Sequence, residues 1–152
     1  MSQSGAFTSG SGASPVLVQK TWTLTSSQIK NLNASPVQLL PPPGSGKMYV
    51  LISSTGKLIY GGTTPFIAAA SQTIDIYFGT SIQVITAISN STIIATDTSY
   101  SETSAVSSLS VIATSVENTA WNLYNPQLTE ISGDVANDST MSGSIIYYIT
   151  DI

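Results

Sequence analysis

From Pro15 to Leu24 apolar and polar residues alternate with period two. Val16, Val18, Lys20, Trp22 and Leu24 share one face, and Leu17, Gln19, Thr21 and Thr23 share the other. Successive strand side chains point to opposite faces, so this run predicts a strand with one mostly buried face. Ser26 to Leu32 holds a short Ile/Leu pair behind a serine, which predicts a single capped helical turn. Ser35-Pro36 returns the chain to extended geometry, and Val37 to Leu40 reads as a short strand. Pro41 to Gly46 is a stiff turn that no helix or central strand could contain. Lys47 to Ser53 and Lys57 to Tyr60 read as two strands around a Ser54-Thr55-Gly56 hairpin turn.

Gly61 to Pro65 closes that unit. Further strands are predicted at Ile74 to Phe78, Ile82 to Ile88, Leu109 to Val116, Ala120 to Tyr124 and Ser144 to Thr150. Ile93 to Ser108 lacks a clean period and reads as a loop or crossover, and Gly133 to Ser142 as a polar loop. Eight or nine short strands with turn signals between them point to an all-β fold, a jelly-roll-like β-sandwich of short antiparallel strands. Residues 1–14 are Gly/Ser-rich with one aromatic, Phe7, and form the expected flexible N-terminal arm. Residues 15–152 form the expected single sandwich domain.

Composition narrows the function. The chain has no histidine, no cysteine and no arginine. Those residues supply the commonest proton shuttles, thiol nucleophiles, soft metal ligands and bidentate phosphate clamps. Charged residues are 8% of the chain, against about 25% in an average soluble protein. Serine and threonine number 45, so hydroxyls rather than ions carry the polar surface. With a net charge of -4, such a surface has little colloidal protection and suits a protein packed against other protein. Lys20, Lys30, Lys47 and Lys57 are the only cations and do not cluster, which argues against nucleic acid. Apolar runs such as Phe66 to Ala70 are far short of the roughly 18 residues of a spanning helix, so no membrane partner is expected. The N-terminus has neither a basic n-region nor an apolar h-region, so a secretory signal is not expected.

The carboxylates, Asp75, Asp97, Glu102, Glu117, Glu130, Asp134, Asp138 and Asp151, include no pair that the sequence itself brings across a cleft. Asp134 to Ser139 places three oxygen donors in a Gly-flanked loop, which calcium accepts weakly. The spacing is not that of an EF-hand, and surface turns favour Asp and Asn for local reasons alone. Gly44-Ser45-Gly46-Lys47 lacks the strand and helix of a phosphate loop. A serine nucleophile would lack its usual base. The expectation is a protein that is not an enzyme, with no catalytic residue, cofactor or metal ligand. Trp22 and Trp121 sit at alternating positions that suit core or interface packing better than sugar stacking.

Three segments resemble a family of small tailed-bacteriophage virion proteins, of the capsid decoration (cement) type. They are Ile29-Lys30-Asn31-Leu32-Asn33-Ala34-Ser35-Pro36-Val37-Gln38-Leu39-Leu40-Pro41, then Pro43-Gly44-Ser45-Gly46-Lys47, then Leu58-Ile59-Tyr60-Gly61-Gly62-Thr63. Glu117-Asn118-Thr119-Ala120, and Gly133-Asp134 leading to Ile146-Tyr147-Tyr148-Ile149, are similar to its C-terminal part. The resemblance covers residues 28–66 and 116–150, and its motifs are turns rather than catalytic signatures. It implies a jelly-roll-like subunit on the capsid surface of a virion, commonly a homotrimer, with the major capsid protein as partner. Some relatives belong to the neck, tail or fibre, so a tail or fibre module binding host carbohydrate or receptor is the alternative. Phe7, Trp22, Trp121 and Tyr147 are the candidate interface or core anchors.

Overall fold

The computed structural model describes residues 14–68, 72–88, 100–105, 117–127 and 131–152. Along the chain these form β1 (Val18–Thr25), α1 (Ser26–Asn31), β2 (Val37–Leu40), β3 (Lys47–Ile59), β4 (Phe66–Ile67), β5 (Ile74–Phe78), β6 (Ile82–Ile88), β7 (Tyr100–Ala105), β8 (Trp121–Tyr124), β9 (Ser132–Gly133) and β10 (Thr140–Asp151). Two four-stranded antiparallel sheets have the orders β1-β10-β3-β7 and β2-β8-β5-β6, and β4 pairs with β9 apart from them.

The pairing has a simple logic. Setting the short β4 and β9 aside, eight strands remain. The first pairs with the last (β1 with β10), the second with the seventh (β2 with β8), the third with the sixth (β3 with β7) and the fourth with the fifth (β5 with β6). That is one long hairpin folded at its middle. Rolling it adds the β10–β3 and β8–β5 pairs and yields two sheets. This is jelly-roll topology, and the fold is the expected all-β sandwich.

Several local expectations change. β3 runs unbroken through Ser54-Thr55-Gly56, in place of the expected hairpin turn. Gly56 lies directly between Gly143 of β10 and Glu102 of β7, so it is a mid-strand glycine rather than a turn residue. A bulge at Ile52 also breaks the strand's periodicity, because Ser53 faces Ile146 while Leu51 faces Tyr147. Inward residues are therefore Tyr49 and Leu51 before the bulge, and Ser54, Gly56 and Leu58 after it. Residues 100–105, expected in a loop or crossover, form β7 on the edge of the first sheet. The helical turn is capped by Thr25, not by a serine. Its hydroxyl accepts from the Gln28 N–H, and the Gln28 side chain accepts from the Thr25 N–H at 2.9 Å, a reciprocal capping box. The expected strand at 109–116 lies outside the described residues.

The core is built from rows that cross the first sheet. Leu24, Met141 and Leu58 form one row; Trp22, Gly143 and Gly56 the next; Lys20, Ile145 and Ser54 the third; and Val18, Tyr147 and Leu51 the fourth. Opposite them the second sheet presents Ile74, Ile76, Phe78, Trp121 and Leu123, all buried. Aromatic rings tie the sheets together. Tyr49 and Tyr147 of the first sheet meet Trp121 of the second at ring-centroid distances of 5.2 and 6.1 Å, and Phe78 stands edge-on to Trp121 at 5.5 Å. Burying an aliphatic or phenyl side chain of this kind contributes about 1.5–3 kcal/mol relative to leaving it in water.

Candidate assembly surface

Among the described residues β1 is an edge strand, with β10 on one side. The free edge of a strand presents N–H and C=O groups that can pair with another chain. The sequence pattern predicts that Val16, Val18, Lys20, Trp22 and Leu24 share a mostly buried face, but only Trp22 and Leu24 are buried. Val16 is 79% exposed, Leu17 58%, Val18 40% and, on neighbouring β10, Ile149 45%. Val18 faces Tyr147 across the pair and Ile149 faces Tyr49. Both belong to the inward face of the first sheet by the period of two, yet both reach solvent. A period of two tells which face a side chain takes, not what packs over that face, which is why the period alone misjudges the burial. Ile152, 48% exposed, closes the same end, where its N–H donates to the Gly46 carbonyl at 3.0 Å.

Three of the residues expected as interface or core anchors are in the core. Trp22 is buried on β1, Tyr147 on β10 and Trp121 on β8, all within the core of the single subunit. Trp121 and Tyr147 meet around Tyr49, whose hydroxyl donates to the Pro41 carbonyl at 2.7 Å. Burial, and then the neighbouring Tyr147, push the Tyr49 phenol above its ordinary pKa. Trp22 packs apart from this trio, over Gly143. Phe7 lies outside the described residues. The sequence signal for the exposed corner is Val16-Leu17-Val18 itself: three consecutive apolar residues put apolar groups on both faces of an entering strand.

The described carboxylates are mostly engaged in turns. Glu117 Oε1 accepts the Gly46 N–H at 2.6 Å and Asn118 Oδ1 accepts the Gly44 N–H at 2.9 Å. The Gly44–Lys47 turn thus already holds a carboxylate where a phosphate loop would hold its ligand. Lys47 and Asp151 form an exposed ion pair at 2.6 Å, the type that contributes about 0–1 kcal/mol. No group of three or more carboxylates gathers among the described residues.

The Asp134–Ser139 loop is more structured than a plain polar turn. Asp134 and Asn137 are both left-handed, at φ 42° and 55°, a backbone that Asn and Asp adopt more readily than most residues. Lys30 Nζ donates to Asn137 Oδ1 at 2.7 Å and to the Gly133 and Asp134 carbonyls at 3.4 and 3.3 Å. The helix thereby clasps the loop. Burial pushes the Asp134 carboxyl upward in pKa, but the polar groups of Ser26, Asp138 and Ser139 outweigh it and hold the carboxyl below its ordinary value. On the outer face of the second sheet, Tyr77 and Tyr124 stand edge-to-face at 5.2 Å. Among the described residues no helix is long and apolar enough to cross a membrane.

No known protein-family model matches the chain, and no curated protein matches it. Among solved structures it is similar to the PRD1 vertex protein P5, with 12% identity and a TM-score of 0.37, over 88% of this chain and 72% of that one. A likeness at that level carries no argument about function.

Proposed function

We propose that this chain is a structural subunit of a bacteriophage virion, which decorates and stabilises the capsid through protein–protein contacts with the major capsid protein. The observation that carries this reading is the uncovered corner of the first sheet. There a free edge strand and the exposed apolar groups of Val16, Leu17, Val18 and Ile149 adjoin on a jelly roll. Exposed apolar surface beside a free strand edge suits docking by shape and main-chain pairing. The composition supports the same reading, since a chain without histidine, cysteine or arginine is poorly equipped for chemistry. The resemblance of the 28–66 and 116–150 segments to phage decoration proteins supports the shell as the location and a homotrimer as the assembly. Many weak contacts on a symmetric shell then add through multivalency.

The arm, residues 1–14, leads directly into the exposed corner. If fully extended, fourteen residues would reach about 46 Å at roughly 3.3 Å each, far enough to lie on a neighbouring copy or on the shell, with Phe7 as anchor. Co-sedimentation with expanded capsids tests the proposal. The full chain is expected to pellet with shells at a saturable stoichiometry, and a chain lacking residues 1–14 to bind more weakly. Failure of the full chain to bind shells, together with hits on a glycan array, would instead support the tail or fibre reading. The outward Tyr77–Tyr124 pair is the feature that favours that second reading.

A further inference from the structure

β1 is eight residues long and pairs with β10 alone among the described residues, so its other edge is free. Free edges are commonly guarded by charge, proline or a bulge. On β1 the guard is a single charge, Lys20, and the pairing with β10 runs from Val18 to Thr25 without a bulge. At the start of the strand Val16 and Val18 are exposed, as is Ile149 of β10, although Val18 faces Tyr147 from the inward side. Residues 1–13 precede this point in the chain. They carry no charged side chain, so they can enter an apolar contact without a charge to desolvate, and their one aromatic is Phe7. Residues 2–9 equal β1 in length, and Gly10-Ser11-Gly12-Ala13 joins them to the domain.

We infer that residues 2–9 of one copy add as a further strand to the free edge of β1 in a second copy, with Phe7 seated over Val18 and Ile149. This contact between copies uses the same corner as the capsid reading but needs no shell. Main-chain pairing along the edge supplies the affinity, and the aromatic ring fixes the register. Proline keeps the residue before it extended, so Ser14-Pro15 leads out of β1 in an extended direction rather than into a turn. The four linking residues reach about 13 Å, enough for an adjoining copy. An arm laid on an edge joins two different surfaces, so the contact is head-to-tail and closes as a ring of fixed size. Leu17 takes the other face of the strand and is 58% exposed, so it stays available to the shell.

Cross-linking of the full chain tests it. The sequence has no cysteine, so an introduced thiol is the only one in its chain. With Phe7 beside Val18, Lys20 lies opposite residue 5 if the two strands are antiparallel and opposite residue 9 if they are parallel. A Lys20→Cys chain is mixed with a Gly5→Cys or a Ser9→Cys chain and treated with a short bis-maleimide. One of the two mixtures should give a covalent pair of one chain each, in clearly higher yield than a mixture with Ala136→Cys, an exposed site at the other end of β10 from Ile149. By light scattering the parent should be an oligomer, and a chain lacking residues 1–13 a monomer with unchanged circular dichroism. Phe7→Ser should associate at least about tenfold more weakly. Yields no better than the control in both mixtures overturn the inference, as does a monomeric parent or a truncated chain that keeps the parent's mass. So does a chain carrying both thiols that links internally, since the arm then folds back on its own β1. Shells are absent throughout, so failure here leaves the capsid reading to its own co-sedimentation test.

Discussion

Trp22 lies across the backbone of Gly143, its direct partner on the neighbouring strand. A Cβ at position 143 would fall within collision distance of Trp22 Cζ2 and of the Thr55 carbonyl oxygen. The next residue in that row, on the third strand, is also glycine, Gly56. Two facing glycines leave a shallow slot in the sheet, and the indole fills it. Glycine in a strand interior is normally a weakness; here the ring supplies the packing that the missing side chains do not.

Gly143→Ala should therefore destabilise the fold although alanine is the better strand residue. Overpacking of a filled core costs about 1–3 kcal/mol. Urea unfolding followed by tryptophan fluorescence checks this, and a loss confined to a few tenths of a kcal/mol would mean that the indole moves aside freely. The Gly143→Ala, Trp22→Ala double variant should lose less than the sum of the two single losses, because one collision partner is gone.

Trp121→Ala should cost about 3–5 kcal/mol, the range for emptying a large aromatic site in a core. Trp121 is fully buried and touches Tyr49, Phe78 and Tyr147. Its indole N–H is buried without a hydrogen-bond partner, as is that of Trp22. Trp121→Phe keeps a ring and removes the orphaned donor, so it should cost markedly less than its lost area implies. A Trp121→Phe loss larger than its lost area implies would show that the N–H has a partner in solution.

The architecture is largely legible because strands such as Ile74–Phe78 and Ile82–Ile88 are rich in β-branched and aromatic residues. What stays hidden is set by contacts between distant segments. The bulge at Ile52 shifts the inward residues from odd to even numbers, so a continuous strand looks like two. Tyr100 to Ala105, an edge strand among the described residues, has few large apolar residues to mark it as a strand in the sequence. Val18 and Ile149 stand on the inward face yet are exposed, and what packs over a face is something no period-two pattern contains. Trp22, Trp121 and Tyr147 are legible as packing anchors, but their share between core and interface is a tertiary property.

Tyr49 predicts the alkaline limit of the fold. Its phenol is raised by burial and by Tyr147, while the unfolded chain ionises near pH 10. A folded pKa above the unfolded one contributes stability that is complete below about pH 10 and is lost as pH rises through the folded value. Tyr77, raised by burial, then by Asp75 and Tyr124, adds to the same slope. Tyr49→Phe should lose about 1 kcal/mol at neutral pH, for its hydrogen bond to Pro41. It should also show a shallower decline above pH 10. An identical alkaline slope in the two proteins would assign the transition to other groups.

Thr25 caps α1 and ends β1 at the same time, so one residue sets where the strand turns into helix. Thr25→Ala removes the acceptor for the Gln28 N–H and should cost about 1 kcal/mol. Thr25→Ser retains the hydroxyl and should stay close to the parent. Denaturation midpoints of the three proteins decide it; a Thr25→Ala protein as stable as the parent would mean that water caps the helix equally well.

The exposed corner makes the sharpest prediction for assembly. Val16 and Val18 are solvent-exposed in the subunit, so replacing them should leave the fold intact while changing what it can dock against. Each valine buried in a contact contributes about 1.5 kcal/mol or more, and about 1.4 kcal/mol is tenfold in affinity. A Val16→Asp, Val18→Asp double variant should thus associate at least about a hundredfold more weakly, with desolvation of the new carboxylates adding to the loss. Light scattering across a concentration series should show the parent in an oligomer of fixed stoichiometry and the variant as a monomer, with matching circular dichroism. Lys20 stands in the next inward row of the same strand and is also exposed, so Lys20→Ala should leave or strengthen association. A double variant that keeps the parent's mass would move the self-contact away from β1, and the free strand edge would then be available to the shell alone.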